Sequence, residues 1–114
     1  MTSSPVKVIE LRAYGRRMRA GVQAQQVHDE IARALKECCR IHLDFTDVES
    51  VGATFVDTSL GALGARHGAA VFRSIVFAHC SPGVETSIVN ALAQAGLFRG
   101  VLQFCEEVPE AGAR

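Results

Sequence analysis

The chain has 114 residues with 12 basic and 12 acidic side chains, a formal net charge of zero, and 48% hydrophobic residues. This length predicts a single domain over residues 1–114, with its core at about 5–106 and a polar tail at 107–114. Balanced charge gives no reason to expect nucleic acid or an anionic membrane as a partner. No apolar run approaches the ~20 residues that span a bilayer, and "MTSSPVKVIELR" lacks the layout of a signal peptide, so we expect a cytoplasmic protein.

The first half of the chain alternates strand, helix and strand. "VKVIELRAY", residues 6–14, begins with the β-branched residues typical of a strand, and Gly15 interrupts it. From about Ala20 the apolar residues recur at helical spacing, namely at Val22, Val27, Ile31, Leu35 and Cys38. In "RIHLDF", residues 40–45, apolar and polar residues alternate, which predicts a second strand.

The second half repeats this alternation. After the mostly polar turn "TDVES", the spacing of Val56, Leu60 and Leu63 predicts a helix that begins near Ala53 or Thr54. "SIVFA", residues 74–78, predicts a buried strand, "SP" at 81–82 opens a third helix that runs to Gly96, and "VLQFC", residues 101–105, predicts the last strand. The order predicts an α/β domain with helices on a mostly parallel or mixed sheet of about four to five strands. An antiparallel N-terminal strand at one edge is an option within this scheme.

The residue types that carry catalysis or bind metals do not fall into a recognisable pattern. The four cysteines, at 38, 39, 80 and 105, lie in or beside apolar stretches without Cys-x-x-Cys spacing, which favours reduced core thiols. His28 and His42 fall on predicted polar faces, and His67 falls at a helix end. No nucleophile elbow or metal-binding spacing is present. We therefore expect no enzyme, no catalytic residue, no metal and no cofactor, with a redox role for His79 and Cys80 as an alternative.

A basic cluster follows the first predicted strand. It comprises Arg12, Arg16, Arg17 and Arg19. One hypothesis is a small-ligand module in which these arginines hold a nucleotide or phosphate. The other is a solvated strand edge, where positive charge discourages edge-to-edge aggregation. No glycine-rich phosphate nest accompanies the arginines, which favours the solvated edge.

Thr54 carries a hydroxyl at the predicted start of the second helix. Its side chain could cap the helix by accepting a bond from a free backbone N–H, worth about 1 kcal/mol. The same position could accept a phosphoryl group, which adds roughly two negative charges to the surface and would expel a docked partner. Periodicity alone does not choose between a cap and a switch.

A family resemblance enters with "IHLDFTDVESVGATFVDTSLGAL" and "SIVFAHCSPGVETSIVNALAQAGLFRGVLQF". Together they resemble the STAS domain of bacterial anti-sigma factor antagonists and sulfate transporters, and are closest to a stand-alone STAS-like group of unknown function. The resemblance covers about 40–106. In the antagonists a turn of roughly Met-Asp-Ser-Ser-Gly-Leu is phosphorylated on its second Ser by a kinase of the histidine-kinase-like ATPase fold. Without a gap, that Ser falls on Thr54, the Asp on Gly52, the first Ser on Ala53 and the Gly on Phe55.

A slipped alignment instead matches "VDTS", residues 56–59, to the motif. It restores the acidic residue as Asp57 and makes Ser59 the second-choice phospho-acceptor, but it needs a gap. The sequence thus predicts a non-enzymatic STAS-like signalling domain that binds a protein resembling an anti-sigma factor or a histidine-kinase-like ATPase. The resemblance places the partner-binding surface at residues 52–57, namely Gly52, Ala53, Thr54, Phe55 and Asp57, flanked by Asp47 and Glu49. The oligomeric state stays open.

Overall fold

The computed structural model describes residues 6–19, 21–37, 40–97 and 99–105. Its strands are β1 (Val6–Glu10), β2 (Arg17–Met18), β3 (Arg40–Asp44), β4 (Ser50–Val51), β5 (Ile75–Ala78) and β6 (Gln103–Cys105). Its helices are α1 (Val22–Glu37), α2 (Ala53–Val56), α3 (Ala62–His67) and α4 (Pro82–Gln94), with a π-helical turn at Asp57–Gly61 that joins α2 to α3. Short 3₁₀ turns occupy Leu11–Tyr14, Ala69–Ser74 and Arg99–Val101.

The main sheet has four strands in the order β1-β3-β5-β6, and every neighbouring pair is parallel. The α/β prediction with a mostly parallel sheet is therefore confirmed. The antiparallel option for the N-terminal strand is wrong, because β1 pairs in parallel with β3 at the edge of the sheet. A parallel pair needs a crossover, and α1 supplies it between these two strands.

Alternate residues of the sheet face opposite sides. One row holds Ile9, Leu43, Phe77 and Phe104, and the first three of these are at most 2% exposed. Since the strands follow chain order across the sheet and parallel crossovers are right-handed, the helices pack on this one face. The adjoining row, which points to the other face, consists of Val8, His42, Val76 and Gln103.

A second, two-stranded sheet pairs β2 with β4 in parallel, and its Met18 and Val51 are buried. Neither strand was predicted, because two residues are too few to show a period. The first strand is also shorter than "VKVIELRAY", since a 3₁₀ turn begins at Leu11 and buries that side chain. Gly15 has φ of 130°, so the predicted interruption falls on a residue that tolerates left-handed backbone.

The opening of α4 is as predicted. Ser81 is the N-cap, its Oγ accepts a hydrogen bond from the Val84 N–H at 3.2 Å, and Pro82 opens the helix. The end of α3 at His67 is also confirmed. Within the described ranges, no helix is both long and apolar enough to cross a membrane.

Three side chains differ from their predicted environments. His42 is 7% exposed, so its assignment to a polar face is wrong; β3 is an inner strand with neighbours on both sides. His28 is also largely covered, with 13% of its side chain exposed. Cys105 is exposed at the end of an edge strand, which contradicts a core thiol, while Cys80 is half-buried. Cys38, Cys39 and the predicted tail at 107–114 lie outside the described residues.

Candidate docking site at the start of helix α2

The segment before α2 is fixed at several points. The Phe45 N–H donates to the Ala78 carbonyl at 2.9 Å, and Thr46 donates from its backbone N–H and its hydroxyl to Asp44 Oδ1 at 2.9 and 2.6 Å. Val48 is 5% exposed and anchors the turn in the core. The Gly52 N–H then donates to the Met18 carbonyl at 2.8 Å, so the second sheet holds the residue that precedes the helix.

Gly52, rather than Thr54, is the N-cap of α2. Its backbone is extended at φ −82° and ψ 154°, and its carbonyl accepts the first helical bond from the Val56 N–H at 3.0 Å. Gly52 has no side chain with which to cap this helix end. The predicted cap role of Thr54 is therefore wrong, because Thr54 is the second residue inside the helix, past the position from which a side chain caps.

Of the five residues named in the predicted turn at 52–57, four reach solvent. Gly52, Ala53, Thr54 and Asp57 are exposed. Phe55 is 2% exposed and belongs to the hydrophobic core, so its inclusion in a partner-binding surface is wrong. The accessible part of the predicted turn is small and polar, with one hydroxyl and one carboxylate.

The second-choice acceptor, Ser59, is inaccessible. Its side chain is completely buried in the π-helical turn, and its Oγ donates to the Phe55 carbonyl at 2.7 Å. Phe55 and Ser59 are four residues apart and share the buried face. A kinase cannot reach this hydroxyl in the folded domain, so the slipped alignment fails on accessibility.

Helix α4 contributes two residues that the sequence analysis missed. Ala91 and Gln94 line a shallow hollow of about 190 Å³ together with Ala53, Thr54 and Asp57. Ala91 is 6% exposed and forms its floor, while Gln94 is exposed. We call the set Gly52, Ala53, Thr54, Asp57, Ala91 and Gln94 the docking surface. No local signal could find the last two residues, because about 40 positions separate them from Thr54.

The flanking acidic residues and three of the four arginines, which were predicted as separate sites, pair with each other in two groups. Arg12 Nη1 lies 3.1 Å from Asp47 Oδ2, and Glu49 lies 3.5 Å from Arg16 and 3.4 Å from Arg17. Arg12 also approaches Glu10 at 3.8 Å. These side chains are half exposed or more, so each pair is worth about 0–1 kcal/mol.

These ion pairs weigh against the small-ligand hypothesis. An incoming phosphate would have to compete with a carboxylate of the chain for the guanidinium group of Arg12, Arg16 or Arg17. Arg19, the fourth member, is exposed, and its backbone N–H donates to Gln23 Oε1 at 2.7 Å. Asp47 and Glu49 are exposed, and each pairs with at least one arginine of the chain.

His79 and Cys80 border a cavity of about 650 Å³ at the carboxyl ends of the strands. Burial, and then the negative charges of Glu85 and Asp44, raise the pKa of Cys80 to about 12. The thiol is therefore protonated at neutral pH, whereas a nucleophilic or redox-active cysteine needs its thiolate. In the part of the chain that the structure describes, no group of three or more His, Cys, Asp or Glu side chains could hold a metal ion.

Comparison with known proteins agrees with the fold. A family model described as a STAS-like domain of unknown function matches residues 23–85, which is more than half of the chain. No curated protein and no solved structure matches. The matched segment runs from α1 into α4 and includes the whole start of α2. The chain belongs to the family of STAS-like domains of unknown function.

Proposed function

We propose that this domain is a non-enzymatic signalling module that binds a regulatory protein through the docking surface. The observation that carries the proposal is the contrast within one stretch of helix: Thr54 is exposed beside the hollow, whereas Phe55 and Ser59 are buried. Small neighbours at Gly52 and Ala53 leave the hydroxyl accessible to another protein. The hydroxyl of Thr54 does not cap the helix, so it is free to contact a partner.

We further propose that phosphorylation of Thr54 releases the partner. A phosphoryl group would add roughly two negative charges to a hollow that Asp57 already borders. A partner that covers this small, weakly charged surface would then have to bury the phosphate dianion beside the Asp57 carboxylate. Both the desolvation of the dianion and the repulsion between these two negative groups would weaken binding. The fold would persist, because Thr54 is exposed and its hydroxyl caps no helix.

The partner we expect resembles an anti-sigma factor or another ATPase of the histidine-kinase-like fold. This expectation rests on the resemblance to anti-sigma factor antagonists, in which the hydroxyl that aligns with Thr54 is the regulated one. Gly52 stands where those antagonists have an acidic residue, and the only carboxylate of the docking surface is five residues later, at Asp57. A cognate kinase would therefore recognise a different arrangement of charge.

A pull-down from native cell lysate, with mass spectrometry of bait and prey, tests the proposal. Wild type and Thr54→Val should capture the same ATPase-fold protein, because valine keeps the shape of threonine without its hydroxyl. Thr54→Glu should lose it while circular dichroism shows an intact fold, and wild-type bait should carry phosphate at Thr54. Equal capture by all three baits would refute the docking surface; selective loss with Thr54→Glu but no phosphate would refute only the switch.

A matched pair of variants separates the two candidate acceptors. Ser59→Asp should destabilise the domain by at least ~3 kcal/mol, because it places a charge without a partner in the core. Ser59→Ala should remain folded and bind the partner normally, since alanine suits a helix and removes only one hydroxyl. A folded Ser59→Asp protein that has lost its partner would show that Ser59, and not Thr54, is the switch.

A further inference from the structure

A second cavity lies away from the docking surface, between α1 and the end of α3. Its volume is about 570 Å³. It arises because α3 ends at His67 and the chain turns at Gly68, with φ of 83°, into the 3₁₀ segment Ala69–Ser74. That turn leaves part of one face of α1 uncovered, and the small side chains of Ala32 and Ala70 leave room above it.

The floor of this cavity is apolar. It is formed by Ala32 and Leu35 of α1 and by Ala70 and Val71 across the gap. Ala32, Leu35 and Val71 pack against the hydrophobic core on one side, yet each is only half-buried because its other side faces the cavity. An apolar group placed here would extend the core outward and remove this surface from water.

The rim of the cavity is basic. Lys36, Arg66 and His67 are exposed around it, and none of the described residues that line it is acidic. The chain as a whole has zero formal charge, so the positive charge around this cavity is a local feature of the surface. Basic residues in the last turns of α1 and α3 also offset the helix dipoles. That role explains the charges but not the apolar cavity that they surround.

We propose that this cavity binds a small amphipathic anion, such as an aliphatic carboxylate, with its chain on the apolar floor and its anionic group between Lys36 and Arg66. The charge of the rim selects an anion, and the floor selects an apolar body. The volume lies within the ~300–1,000 Å³ typical of small-molecule sites. The site shares no residue with the docking surface and does not depend on the proposed function.

Titration of the full chain with octanoate, followed by amide NMR, tests this assignment. Octanoate should shift the amide signals of Ala32, Leu35 and Val71 and saturate, and octan-1-ol, which lacks the charge, should bind at least tenfold more weakly. Lys36→Glu combined with Arg66→Glu should weaken octanoate binding at least tenfold. Ala70→Trp, a change at an exposed position, should abolish it by filling the cavity.

The matched control is Lys7→Glu combined with Arg33→Glu, which changes the net charge equally but lies outside the cavity. Its octanoate affinity should stay within twofold of wild type. Shifts centred elsewhere, equal weakening in both double variants, or no saturation at millimolar octanoate would overturn the proposal. Binding of an acidic helical peptide in this cavity without any binding of octanoate would also overturn it, in favour of a protein-binding groove.

Discussion

At the scale of single residues, the helix period determines which hydroxyl another protein can reach. Phe55 and Ser59 are four positions apart and lie on the core face, whereas Thr54 and Asp57 are exposed. The spacing of Val56, Leu60 and Leu63 located the core stripe correctly, but not its width. Phe55 and Ser59 lie at the margin of that stripe, where the residue type alone does not determine whether a side chain is buried. A surface Phe and an accessible Ser were therefore plausible from sequence and wrong in the structure.

His42 provides a prediction about pH. It is 7% exposed, and its Nδ1 has no hydrogen-bond partner among the described residues. Burial, and then the positive charge of Arg40, lower its pKa below the ordinary 6.5. The folded protein therefore resists protonation of this imidazole while the unfolded chain accepts it. Above pH 6.5 the ring is neutral in both states and costs the fold nothing. As pH falls from 6.5 toward the lower, folded-state pKa, the unfolded chain binds the proton more readily, so the free energy of unfolding decreases.

Urea unfolding at pH 7.5, 6.5 and 5.5 measures this effect. The free energy of unfolding of wild type should fall across the series, and His42→Val, which suits an inner strand, should show a flatter profile. The control is Val76→Ala, at the buried position opposite His42 on β5, which removes no titratable group and should retain the wild-type slope. Equal slopes in wild type and His42→Val would show that another group carries the pH dependence.

At the scale of elements, periodicity predicted the long helices and the main strands, and cap chemistry placed the start of α4 at Ser81 and Pro82. The two-residue strands β2 and β4 were not predicted, because they are strands only through pairing with each other and show no local pattern. The same applies to the site. Arg12 binds Asp47 across 35 positions, and Gln94 lines the same hollow as Thr54. Contacts of this kind depend on the topology, which one sequence does not reveal.

Gly64 in α3 and Gly83 in α4 have different surroundings, and replacing each by alanine should change the stability of the fold in opposite directions. A Cβ at Gly64 would lie 2.9 Å from Leu97 Cδ1 and 3.2 Å from Phe72 Cε2, so Gly64→Ala should destabilise the fold by about 1–3 kcal/mol. A Cβ at Gly83 would meet nothing within 4 Å, and Gly83→Ala should stabilise α4 by about 0.5 kcal/mol. Urea midpoints compare the two. A Gly64→Ala protein as stable as wild type would mean that α3 and Leu97 pack less closely.

At the scale of the whole molecule, the family match and the folding unit differ. Residues 23–85 contain β3 and β5, which are the inner pair of the main sheet, but neither of its edge strands. The edge strand β1 and the turn after it bury Ile9 and Leu11 to 2% and 1% exposure. Ile88 and Leu92 of α4, both fully buried, also lie beyond residue 85. The family match therefore covers the docking surface only at residues 52–57, and it omits Ala91, Gln94 and part of the core.

A chain cut to residues 23–85 should consequently be unfolded, whereas a chain of residues 5–106 should fold like the full protein. The shorter chain would expose both edges of a two-stranded sheet, because β1 and β6 are missing, and it would lose most of α4 with the buried Ile88 and Leu92. Two strands need helix packing to be stable in water, and the remaining helices would have lost part of the core against which they pack. Amide NMR dispersion and far-UV circular dichroism compare the chains. Dispersed signals from residues 23–85 would mean that β1, β6 and α4 are additions to a smaller core, and the docking surface would then have to be sought without Ala91 and Gln94.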